Sequence, residues 1–359
     1  MSCFSFLYRT LRWCRLPALL ICAGTTSCTK TIGVSPQAQA AADSVYSNRL
    51  QFVVTDNFTF TLYYTGLGFI GLQDTLAQPG PFTVLAPANS GFNNPAYWYI
   101  YSAANIPYFW TTAYIQDFFR YTVLDGRYSI DSMPLGDNQQ LPTPGGFHVY
   151  VSKYVQGGDT VATVNGSLLT NIDGAATNGL LDALSIPINP EESHTVIDRI
   201  DNDERLTFFA LALQRVGLDS VLANGGPWTV LAPENGAFAN ASGLGAGLST
   251  MDSLLLADTA VLGRIVRGHI LRVRYFVNDF ARNGNGPGDT LRLVSLNGEP
   301  VTFYMGSLNY SGPEALFLGG SGNGTPAQIY PTSNSIYQYN GDIAAGNGVL
   351  QKIDQVLVP

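Results

Sequence analysis

The stretch "PFTVLAPANSGF", residues 81–92, returns as "PWTVLAPENGAF" at residues 227–238. In both copies a β-branched and apolar run, TVLA, meets a proline. Proline has no N–H for a sheet ladder, so a strand is expected to stop there or to lie at an edge. Asn89 and Gly91 follow in the first copy, Asn235 and Gly236 in the second. Asn side chains cap helix starts and tolerate turn backbone, which predicts a strand-to-helix turn. Phe92 and Phe238 would then plug the core beneath it.

The two copies stand 146 residues apart, from Thr83 to Thr229. A chain of 359 residues also exceeds the size at which one core usually stops growing, so two domains are expected. A second shared element closes each half, "NGLLDALSIPINP" at 178–190 and "NGVLQKIDQVLVP" at 347–359. Asn-Gly is a turn signal, and the residues after it read as a strand. Upstream of each box lies a helix-like amphipathic stretch, "NFTFTLYYTGLGFIGLQDTL" at 57–76 and "ERLTFFALALQRVGLDSVL" at 204–222. Helices near the front and strands near the back suggest α+β domains. Hydrophobic content of 46% with 12% charged residues excludes a largely disordered chain.

The first 28 residues have a different character. Arg9, Arg12 and Arg15 precede a short apolar run, Leu16 to Ala23, and then small residues, which is the pattern of an export signal. The run is shorter than the roughly 20 apolar residues needed to span a bilayer. All four cysteines (Cys3, Cys14, Cys22 and Cys28) lie in this segment, and cleavage after Ser27 leaves only Cys28. "TTSC" resembles a bacterial lipoprotein box, which implies lipidation of Cys28. An ordinary signal peptide with incidental cysteines is the alternative. Losing residues 1–27 leaves 15 basic against 26 acidic residues, a formal charge of −11, with lysine only at Lys30, Lys153 and Lys352. Nucleic acid is therefore excluded as a partner class, because phosphate binding draws on clustered Lys and Arg.

The order of helix, TVLAP-x-N box, middle helix and closing Asn-Gly strand resembles the fasciclin domain, twice. The expected organisation is a lipoprotein-type signal peptide at 1–27, a linker at 28–44, a first fasciclin-like domain at 45–190 and a second at 191–359. Each is expected to be a small β-sandwich or wedge with helices packed at one side. The Tyr-His pair usual in the family is divided: "RYTVLDGRY" keeps Tyr121 but has Thr122, and "RGHILRVRY" keeps His269 but has Gly268. In the closing box Ser185 and Pro187 depart from the pattern, while Asp354 and Val356 match it.

Reactive vocabulary is sparse. His148 sits in an alternating strand and His194 in the link between domains. Neither has a second histidine at metal-ligand spacing, so no metal or cofactor is expected. His269 reads as a buried imidazole satisfied by backbone groups. No G-x-S-x-G elbow or serine-lysine arrangement suggests serine catalysis. The Gly-rich runs at 283–288 and 319–324 lack the lysine or following helix of a phosphate cradle, and read as loops. The acid pairs Asp201/Asp203 and Glu191/Glu192 are expected to be solvated.

Two features suggest recognition. Resemblance to animal fasciclin proteins places Asp342-Ile343 at an Asp-Ile pair credited with receptor binding, a turn aspartate being the other reading. The corresponding first-domain residues are Asp173-Gly174. More particular to this chain is "YWYIYSAANIPYFWTTAYIQDFFRY", residues 97–121, with eleven aromatics where Ala239 to Gly268 of the second half has none. Tyr97, Trp98, Tyr99, Tyr101, Tyr108 and Trp110 are candidates for an exposed patch, since Tyr and Trp give stiff amphipathic contact area to sugars and proteins alike. Phe118 and Phe119 read as core. The second half is also 23 residues longer between its two boxes, an insertion around residues 305–340. Five Asn-x-Ser/Thr sequons (Asn57, Asn165, Asn240, Asn309 and Asn323) read as Asn-rich loops beside a lipoprotein box.

The expected protein is a non-enzymatic adhesion or binding protein of the cell envelope, lipid-anchored on the outer membrane or cell surface. Its expected partners are an extracellular polysaccharide or protein. The alternatives are a carbohydrate-handling enzyme or small-molecule-binding accessory protein, and an envelope spacer.

Overall fold

Each TVLAP run is an interior strand, second from one edge of its sheet. The computed structural model describes residues 48–94, 100–239, 248–283, 290–305, 308–309, 312–313, 316–319, 323, 326–329 and 341–358. The expected signal and linker segments with Cys28, the candidates Tyr97, Trp98 and Tyr99, and residues 284–288 of the Gly-rich run lie outside these residues.

In the first domain β1 (Phe82–Pro87), β2 (Val123–Asp125), β3 (Gly136–Pro142), β4 (His148–Gln156), β5 (Asp159–Val164), β6 (Ser167–Ala176) and β7 (Gly179–Leu184) form one curled sheet in the order β2-β1-β7-β6-β5-β4-β3. Helices Leu50–Thr55, Thr61–Gly68 and Thr112–Tyr121 accompany it. β1 pairs antiparallel with β2 on one side and parallel with β7 on the other. Pro87 therefore ends an interior strand, not an edge strand as one expectation had it. Alternation along β1 sends Val84 and Ala86 into a core with the helices, and Leu85 into a second core with Val149, Val151, Val164 and Leu184. The domain is thus a wedge with apolar filling on both faces of β1.

The second domain repeats this plan. β8 (Trp228–Pro233), β9 (Ile270–Leu271), β10 (Thr290–Val294), β11 (Pro300–Met305), β12 (Leu308–Asn309), β13 (Gly312–Pro313), β14 (Leu316–Gly319), β15 (Ala327–Ile329), β16 (Ile343–Ala345) and β17 (Gly348–Ile353) follow in sequence. The sheet order is β10-β11-β14-β15-β17-β8-β9, with β16 also on β17. Val230 and Ala232 face the helices Val196–Asp201, Thr207–Arg215 and Thr259–Arg267, while Leu231 faces the other way. Both domains mix helices and curled sheet in the α+β manner. Among the described residues no helix is long and apolar enough to cross a membrane.

The repeated polar residues explain why the boxes recur. Thr83 donates to Gly126 O and accepts from Tyr128 N. Thr229 likewise donates to Val273 O and accepts from Tyr275 N. Asn89 does not cap the helix it starts. Its Oδ1 accepts from Leu62 N at 3.0 Å, and its Nδ2 donates to Phe58 O and Thr61 Oγ1, so it caps the neighbouring helix Thr61–Gly68. Asn235 makes the same three bonds to Phe208 N, Glu204 O and Thr207 Oγ1. At the closing box Asn178 accepts from Leu50 N and donates to Leu76 O and Gln78 O, matched by Asn347 with Val196 N, Leu222 O and Gly225 O. The glycine after each is required by crowding: a Cβ on Gly179 or Gly348 would lie 2.1 or 2.5 Å from the carbonyl of Phe82 or Trp228.

Candidate functional site

The groups with potential chemistry are mostly drawn into the interior. His269, 1% exposed, sets Nδ1 2.9 Å from Ile265 O and takes a hydrogen bond from Leu357 N on Nε2. That pair of partners fixes the neutral tautomer with the proton on Nδ1. Burial pushes the imidazole pKa down to about 4, against a raising effect of the Ile265 carbonyl. Thr122 takes the place of His269 in the first domain, since each residue's carbonyl accepts from the same box position, Leu85 N and Leu231 N. Thr122 Oγ1 meets Tyr63 OH at 3.0 Å, where the second domain packs the Phe209 ring 5.7 Å from His269. The divided Tyr-His pair is thus two alternative fillings of one interior position. Tyr121 donates to His148 O and accepts from Asn165 Nδ2. Asn165 is buried, so its sequon is a core turn.

The aromatic stretch divides. Trp110, 4% exposed, packs on Phe92, Tyr114 and Phe118, which removes it from the proposed patch. The Pro107-containing turn helix Ile106–Phe109 and the Thr111 cap of Thr112–Tyr121 turn its indole inward. Tyr101 and Tyr108 remain at the surface, 55% and 69% exposed. Phe118 and Phe119 are core residues, as their helical spacing implied.

Asp342 and Ile343 are separated by the fold. Asp342, 4% exposed, has left-handed backbone (φ 53°), accepts from Val277 N at 2.7 Å and from Gln351 Nε2 at 2.8 Å, and lies against Gly166 of the first domain. It is a turn residue in the joint between the domains and offers no surface to a partner. Asp173 has the same left-handed backbone and caps Ile130 N and Asp131 N. Ile343 lies on the wall of an interdomain cleft.

That joint corrects the expectation for the acid pairs. Asp201 is exposed, but Glu191 is 2% exposed, accepting from His148 N at 2.8 Å and Tyr150 OH at 3.1 Å. The Arg274 guanidinium stands 3.9 Å from the Tyr150 ring and donates to the carbonyls of Ala345, Gly346 and Gly348. Asn189 donates to Gly341 O, Asn138 to Arg274 O and Asn278 to Gly166 O, so both domains close the joint. Asp203 pairs with Lys352 and with Arg205. Burial would raise the Asp203 pKa, but the Lys352 charge and hydrogen bonds from both cations hold it below its ordinary value. Burial lowers that of Lys352, with Asp203 opposing. Lys352 is the more deeply buried partner, so desolvation outweighs the shared attraction there. Sequence reasoning missed this pair because its members are 149 residues apart.

Comparison with known proteins follows the repeat. A family model described as Fasciclin domain matches residues 59–190 and 204–359. Human periostin is 22% identical over 292 residues, covering 81% of this chain and 29% of that protein. The pig transforming growth factor-beta-induced protein ig-h3 is 24% identical over 289 residues, covering 80% and 36%. The chain therefore spans only about a third of the length of these curated relatives. A solved FAS1 domain pair from the insect cell adhesion molecule fasciclin I aligns with a TM-score of 0.38 and 16% identity, over 83% of this chain and 96% of that one. Since the family model takes in both boxes of both repeats, the chain belongs to the fasciclin domain family, in two tandem copies.

Proposed function

We propose that this protein is a non-enzymatic adhesion or binding protein of the cell envelope, tethered through a lipid on Cys28 and engaging an extracellular polysaccharide or protein with its domain surfaces. The observation that carries the reading is the outward placement of Tyr101 and Tyr108 in a stretch whose counterpart in the second domain has no aromatics. Their rings add contact area that the shared fold does not require, while Trp110 in the core anchors the same stretch. Fasciclin family membership and the consumption of His269, Glu191 and Asp342 in internal bonds support the same reading. Weak single contacts would be strengthened by display of many copies on one membrane.

The test is the double substitution Tyr101→Ala/Tyr108→Ala in the full chain, scored by adhesion of cells displaying the protein. Adhesion should fall with melting temperature preserved; unchanged adhesion in the folded variant refutes the surface. Mass spectrometry of the mature N-terminus tests the anchor, with a diacylglyceryl Cys28 expected and an unmodified or absent Cys28 refuting it.

A further inference from the structure

The internal duplication isolates four charges that the fold does not need. The shift of 146 residues places Asp203, Arg205 and Glu234 where the first domain has Asn57, Thr59 and Ala88. Strand register adds the fourth: Ala86 pairs with Ala183 in the first domain and Ala232 with Lys352 in the second. The local backbone roles are unchanged, since Asn57 caps Thr59 N and Asp203 caps Arg205 N. One copy thus closes this corner with neutral side chains. The other buries Lys352 to 2% exposure, pairs it with Asp203, and sets Arg205 3.2 Å from Asp203 and 3.6 Å from Glu234. A partly buried ionic cluster in place of neutral side chains is a poor way to gain stability, because desolvation offsets the attraction.

Asp203, Arg205 and Lys352 line a cleft of about 650 Å³ where the two domains meet. This volume lies within the usual range of small-ligand sites. Tyr114 and Asn189 form its first-domain wall, and Ile343 and Leu350 contribute apolar surface. Tyr114 is held by its bond to Asn189 Oδ1 at 3.1 Å and by Trp110 at 5.1 Å between ring centroids. The lining cations Arg199, Arg205 and Lys352 are balanced by Glu192, Asp203 and Glu204, so no net charge selects an ion. Rigid carboxylate, guanidinium and amide groups set side by side, with apolar surface between them, match adjacent hydroxyls and C–H faces.

We propose that this interdomain cleft binds a neutral glycan, with Arg205, Asn202 and Glu204 meeting the hydroxyls of a few consecutive sugar residues while Asp203 and Lys352 hold Arg205 in place. The proposal deepens the binding-protein reading above by naming a site and ligand class, and rests on it. The probe is a panel of neutral oligosaccharides of four to six residues (cello-, xylo-, manno- and chito-series), titrated calorimetrically into the full chain. Binding by one series is expected. The fourfold variant Asp203→Asn/Arg205→Thr/Glu234→Ala/Lys352→Ala, which installs the first domain's own residues, should weaken it at least about tenfold. Should that variant not fold, Asn202→Trp at the exposed cleft wall should occlude the same ligand. Binding that survives either folded variant, or no binding by any series, overturns the proposal, as does binding only of charged oligosaccharides. Lost adhesion in the Tyr101→Ala/Tyr108→Ala variant with a silent panel would sink the cleft and leave the adhesion reading standing.

Discussion

Replacing Asp182 by Asn should make the first domain indifferent to pH and more stable above neutrality. Asp182 lies on β7 in the register that Gln351 holds on β17, opposite Leu85 and Leu231 respectively. Gln351 satisfies both of its ends: Oε1 accepts from Asp342 N and Nε2 donates to Asp342 Oδ1, each at 2.8 Å. Asp182 Oδ1 accepts the equivalent bond from Asp173 N at 2.8 Å, but its buried Oδ2 has no partner. An ionised carboxylate cannot donate where the Gln351 amide does. Burial pushes its pKa up to about 7 from 3.8, with the Asp173 N–H opposing and the Asp173 charge adding to the rise.

The folded state therefore holds a proton that the unfolded state has released, between pH 3.8 and about 7. Stability is full below that window, falls as pH rises through it, and is flat above it. At about 1.4 kcal/mol per unit, and allowing for local relaxation, the loss is about 2–4 kcal/mol. Hydrogen exchange of β1 and β7 peptides in the full chain, from pH 4 to 9 and corrected for intrinsic rates, reads the opening free energy of this domain. Asp182→Asn should show a level profile and stronger protection at pH 8. A variant with the wild-type slope, or weaker protection at pH 8, would refute the reasoning.

Two further outcomes follow from the same interior. The neutral His269 predicts the opposite slope for the second domain, because the unfolded state takes up a proton between pH 6.5 and about 4 that the folded state refuses. Exchange protection of β8 and β17 should thus fall by about 1.4 kcal/mol per unit on acidification through that window while β1 and β7 gain, and parallel profiles would contradict it. Asn89→Ala and Asn235→Ala each delete a three-bond cap and should cost about 1–3 kcal/mol in calorimetric unfolding, so a loss below about 0.5 kcal/mol at either would show that water replaces the cap.

The repeated boxes were legible because Thr83, Asn89, Asn178 and Gly179 do the same local work as Thr229, Asn235, Asn347 and Gly348, and a duplicated job leaves a duplicated residue. The α+β class and the core placement of Phe92, Phe238, Phe118 and Phe119 follow from that pattern. What escaped depends on partners remote in sequence. Composition shows that residues 97–121 are aromatic, but only the turn helix before Thr111 aims Trp110 inward while leaving Tyr108 outside. Glu191 and Asp203 read as linker acids until His148, Tyr150 and Lys352 are brought to them. Asp342 reads as an accessible turn until Gly166 of the other domain closes over it. The cleft belongs to neither half of the sequence, so a reading that treats each half separately does not contain it.

The parallel pairing of β1 with β7 also bears on how the protein would answer a pull. Tension transmitted along β7 toward the link acts lengthwise on a ladder held by β1 on one side and β6 on the other. Rupture then requires those bonds to slide and fail together, and they cannot be peeled apart singly as in a hairpin drawn open from its ends. β17 against β8 repeats the geometry. A tether built from two such modules in series would stay taut under load and give way in two abrupt lengthening steps.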